Sequence, residues 1–378
     1  MDTVWLSRAQ SLREPLGVLS QRGEHERRLP DEAVQALDDA GMFRLSVPRQ
    51  LDGHELPLSL QLRIIEELAR GDAAAAWCVM IASTTGLLAG YMPDGAAKTV
   101  FGQPEQRFCG VYAPRGRAEK VPGGWRVQGR WPFGSGSHHS HWRLGGVLCK
   151  DSERPGSGPS VRLMTFREEQ TTLHDTWDTS GLRGTGSHDF SVENAFVTDD
   201  FAIALDTPRR DESLYQTPVF AFLAVQVAAV SLGIGQAAMD ALEELAVSKV
   251  PTGGRRTVAQ KGVAQATFAH CAARLGSSRA WLRQCVDQLE SVLERGDTLE
   301  ISLKSHLRLA ALHASREAAD VTTEMLRLGG GSAIYASNCL QRLFRDAHTV
   351  TAHAMVAPTM EEYIGKVLLG QTEDTSKL

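Results

Sequence analysis

No two of the six cysteines stand at a metal-binding or disulfide-dense spacing in this 378-residue sequence. Cys78, Cys109, Cys149, Cys271, Cys285 and Cys339 are scattered, with no C-x-x-C among them, which speaks for reduced, mostly buried thiols in a cytoplasmic protein. Also missing is a G-x-G-x-x-G turn after a strand. "GIGQAA" and "GGGSAI" both miss that spacing, so a nicotinamide site of the dinucleotide-fold type is not expected. There is no excess of positive charge: a formal net charge of −5 implies neither nucleic acid nor an anionic membrane surface as partner. The opening "MDTVWLSRAQSLREPLG" lacks the basic, apolar and small-residue parts of a signal peptide. The longest apolar run, "VFAFLAVQVAAVSLGIGQAA", is interrupted by Gln226, Ser231 and Gln236. It reads as a helix buried in a bundle rather than a bilayer span, and no membrane partner is expected. Internal repeats and low-complexity tracts are absent too.

What is present is an ordinary globular composition, 42% apolar and 22% charged, arranged in three textures. Residues 1–108 read as helical. "LPDEAVQALDDAGMFRL" has Pro30 and Asp31 as start signals and closes at Gly41 and Pro48. Two further helices meet at Gly71–Asp72, the second rich in alanine. Residues 109–207 are short strand-like runs separated by Gly, Pro, Ser and Asp turns, with Gly123–Gly124 as a hairpin signal in "VPGGWRV" and "KDSERPGSGPS" as an exposed loop. Such spacing predicts a small antiparallel barrel or sandwich. Residues 208–378 return to long helices: one stops at the glycine cluster after Leu328, and another spans "CLQRLFRDAHTVTAHAMVA". The class is α+β, mainly α.

The stretch "RWPFGSGSHHSHW" concentrates aromatic, hydroxyl and imidazole groups. Three histidines, His138, His139 and His141, raise a metal site. Strand alternation would separate His138 from the other two, and no Cys, Asp or Glu stands at ligand spacing nearby, so no metal is expected. The same alternation would place Trp131, Phe133, Ser135 and Ser137 on one face, a surface suited to a flat ring with polar edges. The competing reading leaves Trp131 as filler of the barrel interior.

The segments "ARGDAAAAWCVM", "GGWRVQGRWPFGSG", "TWDTSGLRGTGSHDFSVENAFV" and "LQRLFRDAHTVTAH", in that order, resemble the two-component flavin-dependent monooxygenases that share the acyl-CoA dehydrogenase fold. The family is typified by p-hydroxyphenylacetate hydroxylase, dibenzothiophene monooxygenase and the indole hydroxylases. The resemblance covers nearly the whole chain. It implies an N-terminal helical domain, a central antiparallel β-barrel domain and a C-terminal four-helix bundle. It also implies a cytoplasmic homotetramer that takes reduced FAD or FMN from a separate NAD(P)H:flavin reductase. Dioxygen would then form a flavin C4a-hydroperoxide that hydroxylates or oxidises an aromatic or heteroaromatic small molecule.

The same resemblance suggests site residues. Where acyl-CoA dehydrogenases commonly carry a catalytic glutamate beyond an "RDA" segment, this chain has Ala354, which cannot take a proton. That disfavours the alternative, an acyl-CoA dehydrogenase-type flavin oxidoreductase. The intact site-like motifs in two domains disfavour a purely structural role. Its neighbour His353 becomes the catalytic candidate, a proton donor with an imidazole that titrates near working pH. His348, about 140° away on a regular helix, reads as structural or intersubunit. Ser135, with Ser137 second, is the candidate for flavin N5 or the substrate, beside Trp131 and Phe133. Val111 and Ala113 of "VYAP" contact flavin through the backbone, and Arg183 and Thr185 approach it from "GLRGTGSHDF". Arg256 and Gln265 reach a flavin phosphate or ring, in some relatives across a subunit boundary. Trp77, Met80, Ser83 and Thr84 line the substrate pocket, which lacks a histidine that some relatives place there.

Overall fold

The computed structural model describes residues 2–150, 160–372, 374, 375 and 378. Apart from its two end residues, the loop expected in "KDSERPGSGPS" lies outside the described residues.

Six helices come first: α1 (Asp2–Ser11), α2 (Arg13–Glu26), α3 (Asp31–Asp39), α4 (Leu58–Gly71), α5 (Ala73–Leu87) and α6 (Asp94–Phe101). The junction expected at Gly71–Asp72 is present. Asp72 leaves helical geometry and its carboxylate accepts the Ala74 N–H at 2.9 Å, capping α5. Helix α4 buries one face, whereas α5 is covered on nearly every side. That is why α5 is apolar all round rather than amphipathic.

Among the described residues seven strands follow: β1 (Phe108–Val121), β2 (Gly124–Trp131), β3 (Trp142–Lys150), β4 (Ser160–Arg167), β5 (Thr172–His174), β6 (Asp189–Thr198) and β7 (Ala202–Ile203). They form one sheet in the order β5-β6-β2-β1-β3-β4-β7. The sheet is antiparallel throughout except that β1 and β3 run parallel, a departure from the all-antiparallel expectation. The β1–β2 turn is Pro122–Gly123, one residue earlier than the Gly123–Gly124 pair, because Val121 faces Gly124 across the hairpin. Proline and then a glycine at φ 79° suit the central positions of a type II turn.

The sheet is strongly curled. Trp131 of β2 and Phe166 of β4 lie three strands apart, about 14 Å in a flat sheet. Their ring centroids nevertheless approach to 5.5 Å. Trp131 plugs the enclosed space, stacked on Phe190 at 5.1 Å. A Cβ on Gly116 or Gly145 would come within 2.4 Å of its indole. Both glycines are needed to admit the ring.

The remainder is α7 (Val219–Ser248), α8 (Gly262–Glu294), α9 (Ile301–Gly329), α10 (Cys339–Val350) and α11 (Thr359–Leu368). Helix α7 and the stretch Ala73–Gly90 are apolar enough to cross a bilayer, yet 89% and 94% of those windows are buried in protein. Two of the polar interruptions of α7 are consumed inside the core: Gln226 donates to Gln61 at 3.0 Å and Ser231 to Ser315 at 3.1 Å. Helix α9 stops at Gly329, where Gly330 takes φ 56°. Helix α10 is shorter than expected. It ends at Val350, so His353 sits in the turns beyond it rather than on a helix.

Candidate active site

Strand β2 ends at Trp131, which breaks the alternation assumed for "RWPFGSGSHHSHW". Phe133 takes φ 67°, a left-handed conformation that is uncommon and costly outside glycine. The two aromatics therefore part company. Trp131 is fully buried and donates Nε1–H to the Gly146 carbonyl at 2.7 Å; it belongs to the β core, not to a flavin surface. Phe133 is 65% exposed and meets the Trp177 ring edge-on at 6.1 Å.

The next residues turn inward. Gly134 N–H donates to the His188 carbonyl and Gly136 N–H to the Thr185 carbonyl, both at 3.0 Å, so this loop is clamped onto residues 182–188. Ser135 is buried at the clamp. Trp77 Nε1–H donates to its hydroxyl at 3.0 Å. Ser135, Ser187 and Thr185 hydroxyls then follow at 2.6 Å intervals, and Thr185 donates to the Leu182 carbonyl at 2.8 Å. A hydroxyl has one proton. Because that of Thr185 goes to Leu182, Ser187 must donate to Thr185 and Ser135 to Ser187. The chain has one direction, and it leaves Ser135 able only to accept from a further group.

Asp346 of α10 braces the far end, accepting the Leu182 N–H at 2.6 Å. Burial raises the Asp346 carboxyl to about 7, with the Leu182 N–H opposing and the nearby Asp72 adding to the rise. Leu182 itself is held at φ 50° by this bond and by the indole of Trp177, which donates to its carbonyl at 3.0 Å.

His353 packs edge-on against Trp77 with ring centroids 5.3 Å apart. Burial, reinforced by the Arg308 guanidinium, lowers its pKa to about 4. The expectation of an imidazole titrating near working pH is therefore overturned: desolvation keeps the ring neutral. Nδ1 accepts the Met355 N–H at 3.3 Å, which assigns the proton to Nε2. His353 is a fixed N–H donor.

The other expected residues divide. Thr84 lies seven residues after Trp77, on the same face of α5, and its carbonyl accepts the Tyr112 hydroxyl at 2.9 Å. Met80 is wholly buried beside it. Ser83 points away into a closed network, donating to Gln61 at 2.5 Å and lying 2.8 Å from Ser46, so it does not line the pocket. Val111 still pairs with Gly145 of β3, whereas the exposed Ala113 falls in the register shift between Val111 and Pro114 and has no partner in that ladder. Ser137 reaches the Gly186 carbonyl only at 3.5 Å. Arg183 is held by Asp178 and the Thr179 carbonyl, each at 2.7 Å. Arg256 and Gln265 are exposed at the far end of the bundle, where Val258 and Ala264 pack on Ala246. Gln265 donates to the Ala259 carbonyl at 2.9 Å, and neither residue shares a hydrogen bond with the Ser135 chain among the described residues.

The histidines of the opening stretch serve separate partners. His139 is half-buried beside Phe43 and pushed to about 3 by desolvation and Arg107. His138 meets His188 edge-on at 4.9 Å, and His141 accepts the Arg107 N–H at 3.1 Å. They lie in and beside a 3-10 turn, not a strand. Among the described residues no three His, Cys, Asp or Glu side chains gather to hold a metal. His348 pairs with the Thr323 hydroxyl at 2.9 Å.

Sequence reasoning missed Ser187, Asp346, Ile81 and Arg308. Ser187 and Asp346 lie inside quoted motifs and were overlooked because their partners are remote in sequence. Ile81, between Trp77 and Thr84, is the half-exposed position on the inner part of α5. An open groove of about 780 Å³ on the outside of the bundle, lined by Arg283, Asp287, Glu300 and His306, contains none of these groups, so we do not take it as the site.

Comparison with known proteins follows the same outline. The acyl-CoA dehydrogenase N-terminal domain matches residues 13–106 and the acyl-CoA dehydrogenase C-terminal domain residues 225–358. An indole-3-acetate monooxygenase of Pseudomonas putida is 29% identical over 92% of this chain and 89% of its own length. The flavin-dependent monooxygenase oxygenase subunit HsaA of Rhodococcus jostii is 26% identical over 93% and 94%. Among solved structures, XiaF from Streptomyces sp. in complex with FADH2 and glycerol superposes with a TM-score of 0.91 at 26% identity, covering 98% of this chain and 96% of its own.

Proposed function

Because the chain belongs to the acyl-CoA dehydrogenase family, among the oxygenase components of two-component flavin-dependent monooxygenases, we propose that it oxidises an aromatic or heteroaromatic small molecule with reduced FAD or FMN and dioxygen. The observation that carries the reading is the one-directional chain Trp77–Ser135–Ser187–Thr185–Leu182, set beside a neutral His353.

The donor set fits a flavin. Ser135 has a lone pair to offer an N–H on a ring edge, Phe133 presents an exposed aromatic face beside it, and backbone at Ala113, next to Val111, has no partner in the β1–β3 ladder. These residues, with Ser137 second, would hold the ring. When bound, reduced flavin supplies two electrons to dioxygen and passes one oxygen atom to the substrate, the other leaving as water. Ser135 orients the ring by accepting. Nε2–H of the half-buried His353 donates a hydrogen bond to oxygen as a donor already fixed in place. Trp77, Ile81, Thr84 and Tyr112 shape the substrate side.

Division into residues 1–108, 109–207 and 208–378 then assigns the pocket wall, the ring contact and the histidine to different domains. The relatives' designation as oxygenase subunits supports a separate NAD(P)H:flavin reductase as partner. A homotetramer gives Arg256 and Gln265 a role, since their exposed groups can serve the flavin of a neighbouring subunit. Reduced thiols and core-buried apolar helices support a cytoplasmic setting. An acyl-CoA dehydrogenase reading finds no base at Ala354.

The test is turnover of an indole and phenol panel under ¹⁸O₂ with enzymatically reduced flavin. One labelled oxygen in the product is expected. Unlabelled substrate throughout, or bleaching of oxidised flavin by an acyl-CoA, overturns the assignment.

A further inference from the structure

The bundle interior holds an arginine that is not satisfied. Arg308 on α9 is 1% exposed. Its Nη1 donates to the Phe220 carbonyl at 2.7 Å and lies 3.2 Å from Met355 Sδ. Nε and Nη2 are buried without a hydrogen-bond partner among the described residues. These two N–H groups share one edge of the guanidinium and point in parallel, the spacing of a carboxylate's two oxygens. One turn earlier on the same face, the buried Ser305 hydroxyl is also unpartnered.

The buried Arg44 is satisfied through all three of its nitrogens. Arg44 is 5% exposed, and it donates to the carbonyls of Leu51, Asp52, Phe101 and Gln103. A buried cation with an open fork edge and no anion is unfavourable, so a chain that retains one has a use for it. Position supplies the use. Arg308 touches Met355 in the same turn that sets His353 against Trp77. Its other contact, Phe220, meets Tyr112 at 6.5 Å. Burial lowers the guanidinium only to about 10, so it stays cationic at neutral pH.

We propose that Arg308, aided by the Ser305 hydroxyl, anchors a carboxylate of the substrate, so that the enzyme selects aromatic acids over neutral aromatics. This rests on the reading that the space around His353 is the substrate pocket. An acid group held at Arg308 directs the attached ring toward His353 and Trp77.

The full chain is titrated calorimetrically with phenylacetate and indole-3-carboxylate and with their amides, both alone and with reduced FAD under anaerobic conditions. The acid is expected to bind about 30-fold or more tightly than its amide, the scale of a desolvated charge pair. Arg308→Met removes that preference while leaving amide affinity within a few-fold, and Arg308→Lys, which cannot form the fork, retains part of it. Equal affinity for acid and amide, binding of neither with or without flavin, or a preference that survives Arg308→Met overturns the proposal. Melting curves confirm that the variants fold. Failure of the flavin reading is separable, since it appears as absent ¹⁸O incorporation whatever the acid preference.

Discussion

Arg143 under the β domain and Arg308 inside the bundle are equally buried, each 1% exposed, but they differ in what their donors meet. Arg143 donates to the Ser137 carbonyl and the Thr171 hydroxyl, both at 2.6 Å, and lies 3.4 Å from a Glu168 carboxylate oxygen. It ties the Ser135 loop to the rest of the sheet, and only its Nε is left over. Arg308 has a carbonyl and a sulfur on one nitrogen and an open fork on the other two. Burial by itself therefore does not separate scaffold from site. The separation comes from whether the protein's own groups complete the hydrogen bonds.

The strongest way to break this contrast is on the Arg308 side. His353→Ala is expected to lower product formation about 100-fold, the scale of losing one fixed donor, while oxygen consumption continues. Parallel measurement of product and oxygen checks this; a proportional loss of both would place His353 elsewhere in the mechanism. Because folding holds the ring neutral with a pKa of about 4, against about 6.5 when unfolded, stability from this group is present above about 6.5 and lost as pH falls through 4. The pH–rate profile should show no His353 inflection between 6 and 7.

Next in size is stability. Arg143→Met should cost about 3 kcal/mol in urea unfolding, since the Ser137 carbonyl and Thr171 hydroxyl lose their buried partner. Arg308→Met should be neutral or stabilising, because it removes an unpaired buried charge. The reverse order of these two variants would collapse the comparison.

A smaller, pH-dependent effect belongs to Asp346. Folding raises its carboxyl to about 7, so the native state holds a proton that the unfolded chain releases near pH 4. Its contribution to stability is present below about 4 and lost as pH rises to 7. Asp346→Asn should remove that slope, read as the difference between wild-type and variant unfolding at pH 5 and pH 8. The smallest effect expected is Glu168→Gln. With 55% of its side chain exposed, the Arg143 ion pair is worth about 0–1 kcal/mol, so urea midpoints should barely move.

Much of the architecture was legible in the sequence. Helical periodicity, turn residues and the change in texture near residues 109 and 208 are local properties, and local rules read them. The motif resemblance located Ser135, Trp77 and His353, and all three meet around one indole. The failures share a cause. Placing Trp131 and Phe133 on one face required the strand to continue, but Pro132 and a positive φ at Phe133 end it. The resemblance puts Ser83 in the pocket with Trp77, Met80 and Thr84, but helix geometry turns it toward Gln61. His353 was read at its solution pKa because sequence carries no information about desolvation. Arg308 stood among apolar and small residues on a helix with no local sign that its partners were missing.

By itself, the sequence determined the order of helical, β and helical segments, the absence of a dinucleotide fingerprint, and the side chains available for chemistry. Those follow from spacing and residue type over a few neighbouring positions. Only the tertiary structure decided that Ser135 accepts, that His353 stays neutral, that Trp131 is core, and that Arg308 keeps an open fork. Each depends on burial and hydrogen-bond partners from distant segments, and electrostatic and hydrogen-bond energies are set by those surroundings.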